Sequence, residues 1–137
     1  MLVADANVLL YLVLEGPLQQ LADELRRGDS EWRTSTLAKY EALNALVTLR
    51  RKGLLGASEA GAALSRITEF CAQAELGSAP AAVLEAAHAM TISGCDAHYV
   101  VLARALQCPL VTEDAGLRKA ARDVARSIAE AVAALRG

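Results

Sequence analysis

Four carboxylates in this chain could act together, Asp5, Glu41, Asp96 and Asp114, and the first three have no Lys or Arg three or four residues away. Asp5 falls within MLVADANVLLYL (residues 1–12), an apolar run broken once by this carboxylate and once by the amide of Asn7. So short an apolar run predicts a central strand buried on both faces, with Asp5 where the strand ends. An ionised carboxylate at the edge of an apolar core is costly unless something pairs with it. No Lys or Arg precedes Arg26, so the partner is not local. Glu41 lies inside an expected helix whose positions three and four away are Leu37, Ala38, Asn44 and Ala45. It therefore lacks the usual i to i+4 cation of a surface helical Glu. Asp96 is similar, with Ile92, Ser93, Tyr99 and Val100 around it. Each acid also has a plainer reading. Asp5 suits a strand-end turn, Glu41 an exposed position, and Asp96 a helix N-terminus favoured by the dipole. Asp114 suits a helix cap that meets Arg118.

Clustering would change their meaning. Two carboxylates about 5 Å apart repel by roughly 3 kcal/mol at an effective dielectric of 20. Four gathered together must bind either protons or a cation. Hard oxygen ligands suit Mg²⁺ or Mn²⁺.

The elements that would bring them together follow from the hydrophobic pattern. A first strand is followed by a short helix over 7–14, with Gly16-Pro17 as a break. A helix over 18–28 ends in Arg26-Arg27-Gly28, and 31–34 reads as a second strand. Ser35 or Thr36 is placed to cap a helix over 37–52, which Arg50-Arg51-Lys52-Gly53 closes. Helices over 57–72 and 81–92 flank a weak third strand at 73–76, and Ser93-Gly94 breaks the chain before a helix over 96–107. A fourth strand at 109–112 leads into a helix over 114–122. Ser127 and Glu130 have capping-box form, predicting a helix over 128–135. Residues 123–126 then form a turn or a short edge strand. Alternating strands and helices imply an α/β fold: a parallel sheet of four to five short strands with helices on both faces. Sites in such sheets lie at the carboxyl ends of the strands, which puts Asp5 and Asp114 on one edge.

Bulk properties exclude more than they assign. At 137 residues the chain is expected to form one domain over 1–137. Its 54% hydrophobic content with only 4% aromatic residues points to helices packed by small residues rather than a β-sandwich. No apolar segment reaches the roughly 20 residues of a membrane span, and residues 1–14 lack the basic start of a signal peptide. Cys71, Cys95 and Cys108 show no disulfide or zinc spacing and read as small buried residues of a cytoplasmic protein. A net charge of −2 argues against non-specific nucleic-acid binding, an inference that weakens once a metal neutralises several acids. His88 and His98 stand alone and read as structural or surface groups, and Trp32 and Tyr40 as core.

Three blocks carry a family resemblance: VADANVLLYL at 3–12, TSTLAKYEALNAL at 34–46 and CDAHYVVLARALQCPLVTEDAGL at 95–117. In these the chain resembles the PIN-domain ribonucleases, and among them the VapC-type toxins of bacterial toxin–antitoxin pairs. The third block is the most specific, and residues 47–94 match only in helical character. The resemblance implies a three-layer α/β/α fold and Mg²⁺-dependent endonucleolytic cleavage of RNA by a metal-activated water, with Mn²⁺ as the alternative ion. It implies that Asp5 and Asp96 are direct ligands and that Glu41 and Asp114 complete the metal site. Asn7 and Thr112 match supporting polar positions; a turn amide and a strand-end hydroxyl explain them as well. It also implies a homodimer, a cognate antitoxin and a cytoplasmic location. Candidates for phosphate contact are Arg26, Arg27, Arg33, Lys39, Arg50, Arg51, Lys52, Arg118, Lys119 and Arg122, most of which also suit ordinary solvated helix ends. The competing reading is a PIN-like interaction protein whose acidic pocket receives a basic peptide without cleaving RNA. Other phosphate-handling α/β enzymes fit poorly, because GxxxxGK[ST], GxGxxG and HExxH are all absent.

Overall fold

Leu2, Val3 and Ala4 are all buried, and they form β1 at the centre of the sheet (computed structural model, residues 1–137 described throughout). β1 pairs in parallel with β2 (Trp32–Ser35) on one side and β4 (Leu110–Val111) on the other. β3 (Glu75–Leu76) and β5 (Ala125–Arg126) form the edges, giving the order β3-β2-β1-β4-β5 with every strand parallel. Apolar runs without alternation suit strands covered on both faces, as β1 and β4 are.

Eight helices supply that cover: α1 (Ala6–Val13), α2 (Gln19–Gly28), α3 (Ala38–Arg51), α4 (Ala57–Ala74), α5 (Pro80–Met90), α6 (Gly94–Leu106), α7 (Ala115–Ala120) and α8 (Ile128–Arg136). α6 lies against β1, β2 and β4 and carries α5 beside it. Elsewhere α1 meets α2, α3 and α4, and α2 meets α8. The result is the expected three-layer α/β/α fold, with five strands. Val3, Val8, Ile67, Val100, Leu110 and Ile128 are the heart of its core. No helix is long and apolar enough to cross a membrane.

Boundaries differ from the sequence expectation in informative places. Ser35 does not cap α3: its Oγ accepts from Leu37 N at 3.1 Å, a local turn, while Leu37 holds the N-cap position without a side-chain bond. α6 begins two residues early, because Ser93 caps it by accepting from Asp96 N at 3.0 Å. The Ser127–Glu130 capping box forms as expected. Tyr40 is 63% exposed and no part of the core, whereas Trp32 is buried. Of the cysteines only Cys71 is buried; Cys95 is exposed, Cys108 partly so, and all three are free thiols.

Candidate active site

β1 ends at Ala4, and the chain turns at once into α1 with Asp5 as its N-cap. Its Oδ1 accepts from Val8 N at 2.9 Å, satisfying one of the donors a helix start leaves free. Asp5 N donates to Val111 O at 3.3 Å, which ties the acid to the end of β4. Below it, the buried Thr34 hydroxyl donates to Ala4 O at 2.7 Å. β4 repeats the arrangement. Asp114 caps α7, its Oδ1 accepting from Leu117 N at 2.9 Å, while its own N–H donates to the hydroxyl of the buried Thr112 at 3.1 Å. Asp114 therefore is a cap, but Arg118 does not meet it. That guanidinium donates instead to Thr112 O and approaches Glu113 at 3.5 Å.

The helices bring the other two acids. Glu41 lies in the first turn of α3 and Asp96 in the first turn of α6. The two helices are joined by Tyr99, almost wholly buried, whose hydroxyl donates to Glu41 Oε1 at 2.6 Å. Tyr99 follows Asp96 by three residues and so shares its face of α6.

One pocket of about 280 Å³ results, lined by Asp5, Ala6, Asn7, Glu41, Asn44, Ala45, Thr48, Asp96, Tyr99 and Asp114. It contains all four acids and no Lys, Arg or His. Asn7 is exposed at its wall, and Thr112 supports Asp114 from beneath. Tyr99, Asn44 and Thr48 were not singled out by sequence reasoning. Asn44 and Thr48 follow Glu41 at three and seven, the periodicity that would have placed them on its face.

Burial raises the Asp5 carboxyl from 3.8 to about 6; Thr112 and the Val8 N–H pull it down, and Glu41 and Asp96 push it up. Asp96 is raised as well, first by burial and then by Asp114, with the Ser93 hydroxyl opposing. Burial and the bond to Glu41 hold the Tyr99 phenol far above its usual range. The charges of all four acids are thus coupled: Asp5 to Glu41 and Asp96, and Asp96 to Asp114.

No three His, Cys, Asp or Glu side chains are gathered tightly enough to hold a metal ion as they stand. The donor chemistry nevertheless fits a hard divalent cation. Glu41 and Asp114 each commit one oxygen to a protein donor, and Asp5 gives only Oδ1 to a backbone N–H, with the Thr112 hydroxyl beside it. An all-oxygen donor set of net negative charge suits Mg²⁺ or Mn²⁺ rather than a softer ion.

Beside this pocket, and sharing Asn7, Ala45 and Thr48 with it, runs a groove of about 450 Å³ between α1, the α1–α2 turn and α3. Leu10, Tyr11, Leu14, Leu18 and Leu49 make it apolar.

Residues 2–123 match the family model described as PIN domain. No curated protein sequence matches significantly. Among solved structures, the chain is similar to the crystal structure of PAE2754 from Pyrobaculum aerophilum. The TM-score is 0.79 at 21% identity, over 98% of this chain and 88% of that one. At that identity the likeness speaks for the fold.

Proposed function

The chain belongs to the PIN domain family, whose members are generally metal-dependent nucleases, and on that premise we propose that it is a Mg²⁺-dependent endoribonuclease. We further propose a single nuclease domain over 1–137 that acts in the cytoplasm as the toxin of a type II toxin–antitoxin pair. The observation that carries the nuclease reading is the pocket in which acids from four distant segments meet without a cation.

Asp5 and Asp96 would hold the ion directly, and Glu41 and Asp114 would complete the site. When bound, a divalent ion supplies positive charge against the scissile phosphate and acidifies the attacking water. The residues of the chain do the rest. The caps at Asp5 and Asp114 fix those carboxylates against α1 and α7. Tyr99 holds one oxygen of Glu41. Asn7, at the exposed wall, offers both a donor and an acceptor to a phosphate or a water.

The apolar groove beside the pocket supports the partner expectation. A peptide with apolar residues for the groove and a basic residue for the acids fits both at once, which suits a cognate antitoxin. A homodimer is proposed on the same family basis.

The test is cleavage of single-stranded RNA by purified protein. Cleavage that requires Mg²⁺, stops with EDTA, and is lost in folded Asp5→Asn and Asp96→Asn variants supports the nuclease. Binding of a basic peptide without any cleavage favours the interaction protein instead. Sequencing RNA ends after brief induction of the wild type and of Asp96→Asn identifies the target.

A further inference from the structure

The far end of α7 and the neighbouring β5 bear a second charged feature, of opposite sign. Arg118, Lys119, Arg122 and Arg126 border one shallow depression of about 580 Å³, together with Ala125 and Glu130. Glu130 is already engaged, its carboxylate accepting from Ser127 N in the capping box. Arg118 and Arg126 are anchored by donating to backbone carbonyls: Arg118 to Thr112 O, and Arg126 to Arg122 O and Ala125 O. Lys119 and Arg122 are exposed and form no ion pair. Arg118 also approaches Glu113 at 3.5 Å, so in a chain of net charge −2 four cations face two engaged acids, a local reversal of sign in which Lys119 and Arg122 are the free charges.

Its position relates it to the acid pocket. Arg126 pairs in register with Val111, and Thr112 N donates to Arg126 O at 2.9 Å. The cluster thus begins one strand away from Thr112 and from Asp114, which lines the acid pocket. α7 joins the two features, with Asp114 as its N-cap and Arg118 and Lys119 in its last turn. At about 1.5 Å per residue, Lys119 is roughly 7 Å along the helix from Asp114. That is about two nucleotides of a stacked strand, at 3.4 Å each. By contrast Arg51, in the trio Arg50, Arg51 and Lys52, lies about 15 Å along α3 from Glu41.

We propose that the α7–β5 cation cluster is a phosphate track that receives the RNA backbone on one side of the acid pocket. This rests on the RNA-cleavage reading and adds to it the direction in which the strand leaves the site, across β4 and β5. Backbone phosphates are favoured over an acidic protein because only Ala125 in the depression is apolar. Protein interfaces are anchored by buried aromatic and aliphatic side chains.

The experiment measures binding of a fluorescein-labelled single-stranded oligouridylate in EDTA, by anisotropy over a salt series, in the uncleaving Asp5→Asn background. Lys119→Gln/Arg122→Gln is compared with Arg66→Gln/Arg136→Gln, which removes two exposed cations elsewhere. The expected result is a loss of about tenfold or more at low salt for the first pair only. Its log–log salt slope should also fall in magnitude by about 1.4, the value for two lost phosphate contacts on a single strand. Equal effects of the two pairs, or an unchanged slope, overturn the track while leaving the nuclease reading intact. Absence of RNA binding by the parent protein and absence of cleavage by the wild type overturn both. Binding of polyglutamate with the same dependence on Lys119 and Arg122, in place of RNA, overturns the track in favour of an acidic protein partner.

Discussion

Asp5 has an unfolded-state pKa of 3.8 and a folded value of about 6, so the folded chain holds the extra proton between those pH values. Stability therefore falls as pH rises from about 4 to about 6 and is level above that. The shift corresponds to about 3 kcal/mol. Asp96 is raised too and adds in the same direction. Asp123, paired with Arg104, is lowered, and its contribution is lost only below about pH 4, outside the window. Urea melts in chelator across this range should show the decline, and Asp5→Asn should remove most of it and be more stable at neutral pH. A second prediction concerns Tyr99→Phe, which keeps the ring and deletes the bond to Glu41. A hydrogen bond to a charged group contributes about 1.5–3 kcal/mol. That loss should appear in the wild type and shrink by at least half in a Glu41→Ala background, measured by the same melts. At this scale the sequence revealed Asp5 and Asp114 through their strand ends, and Glu41 and Asp96 through their missing cations. It could not reveal Tyr99, whose hydroxyl partner lies 58 residues away in the chain. Nor could it show that Arg118 turns to Thr112 and Glu113 rather than to Asp114.

Single hydroxyls set several element ends. Ser93 fixes where α6 starts and hence which turn presents Asp96. Ser93→Ala should cost about 1 kcal/mol. The loss is checked by thermal melts, with hydrogen exchange rising first at the start of α6. Two reinforcing signals mark an element end in the sequence: Ser127 with Glu130 for α8, and the cations with Gly53, which adopts φ +70, for the close of α3. One hydroxyl alone is ambiguous. Ser35 bonds two residues onward instead of capping, because Leu37 and not Ser35 occupies the N-cap position of α3. The two-residue strand β5 shows only a buried Ala125 beside an exposed Arg126, too little pattern to separate a strand from a turn.

For the whole molecule, a cation that binds only the folded state adds RT ln(1 + [L]/Kd), about 2.7 kcal/mol at a hundredfold excess over Kd. Mg²⁺ or Mn²⁺ should therefore raise the Tm by several degrees in the wild type and by much less in Asp5→Asn/Asp96→Asn. A wild-type melt unmoved by millimolar metal counts against the metal site. The fold class followed from alternating elements, and the placement of Asp5 and Asp114 on one edge followed from a rule about parallel sheets. The meeting of Glu41 with them depends on how α3 docks beside α1, which no local pattern encodes.

The placement of β1 also fixes the order of events during synthesis. Val3 pairs with Arg33 on one side but with Leu110 on the other. The first strand thus waits, with one edge open, until β4 has left the ribosome. Closing so distant a pairing is slow compared with the local helices around it. Asp114 follows β4 directly, so the acidic pocket is among the last features to form. A nascent chain therefore lacks its complete acid pocket until β4 and Asp114 have emerged, long after Asp5 and Glu41.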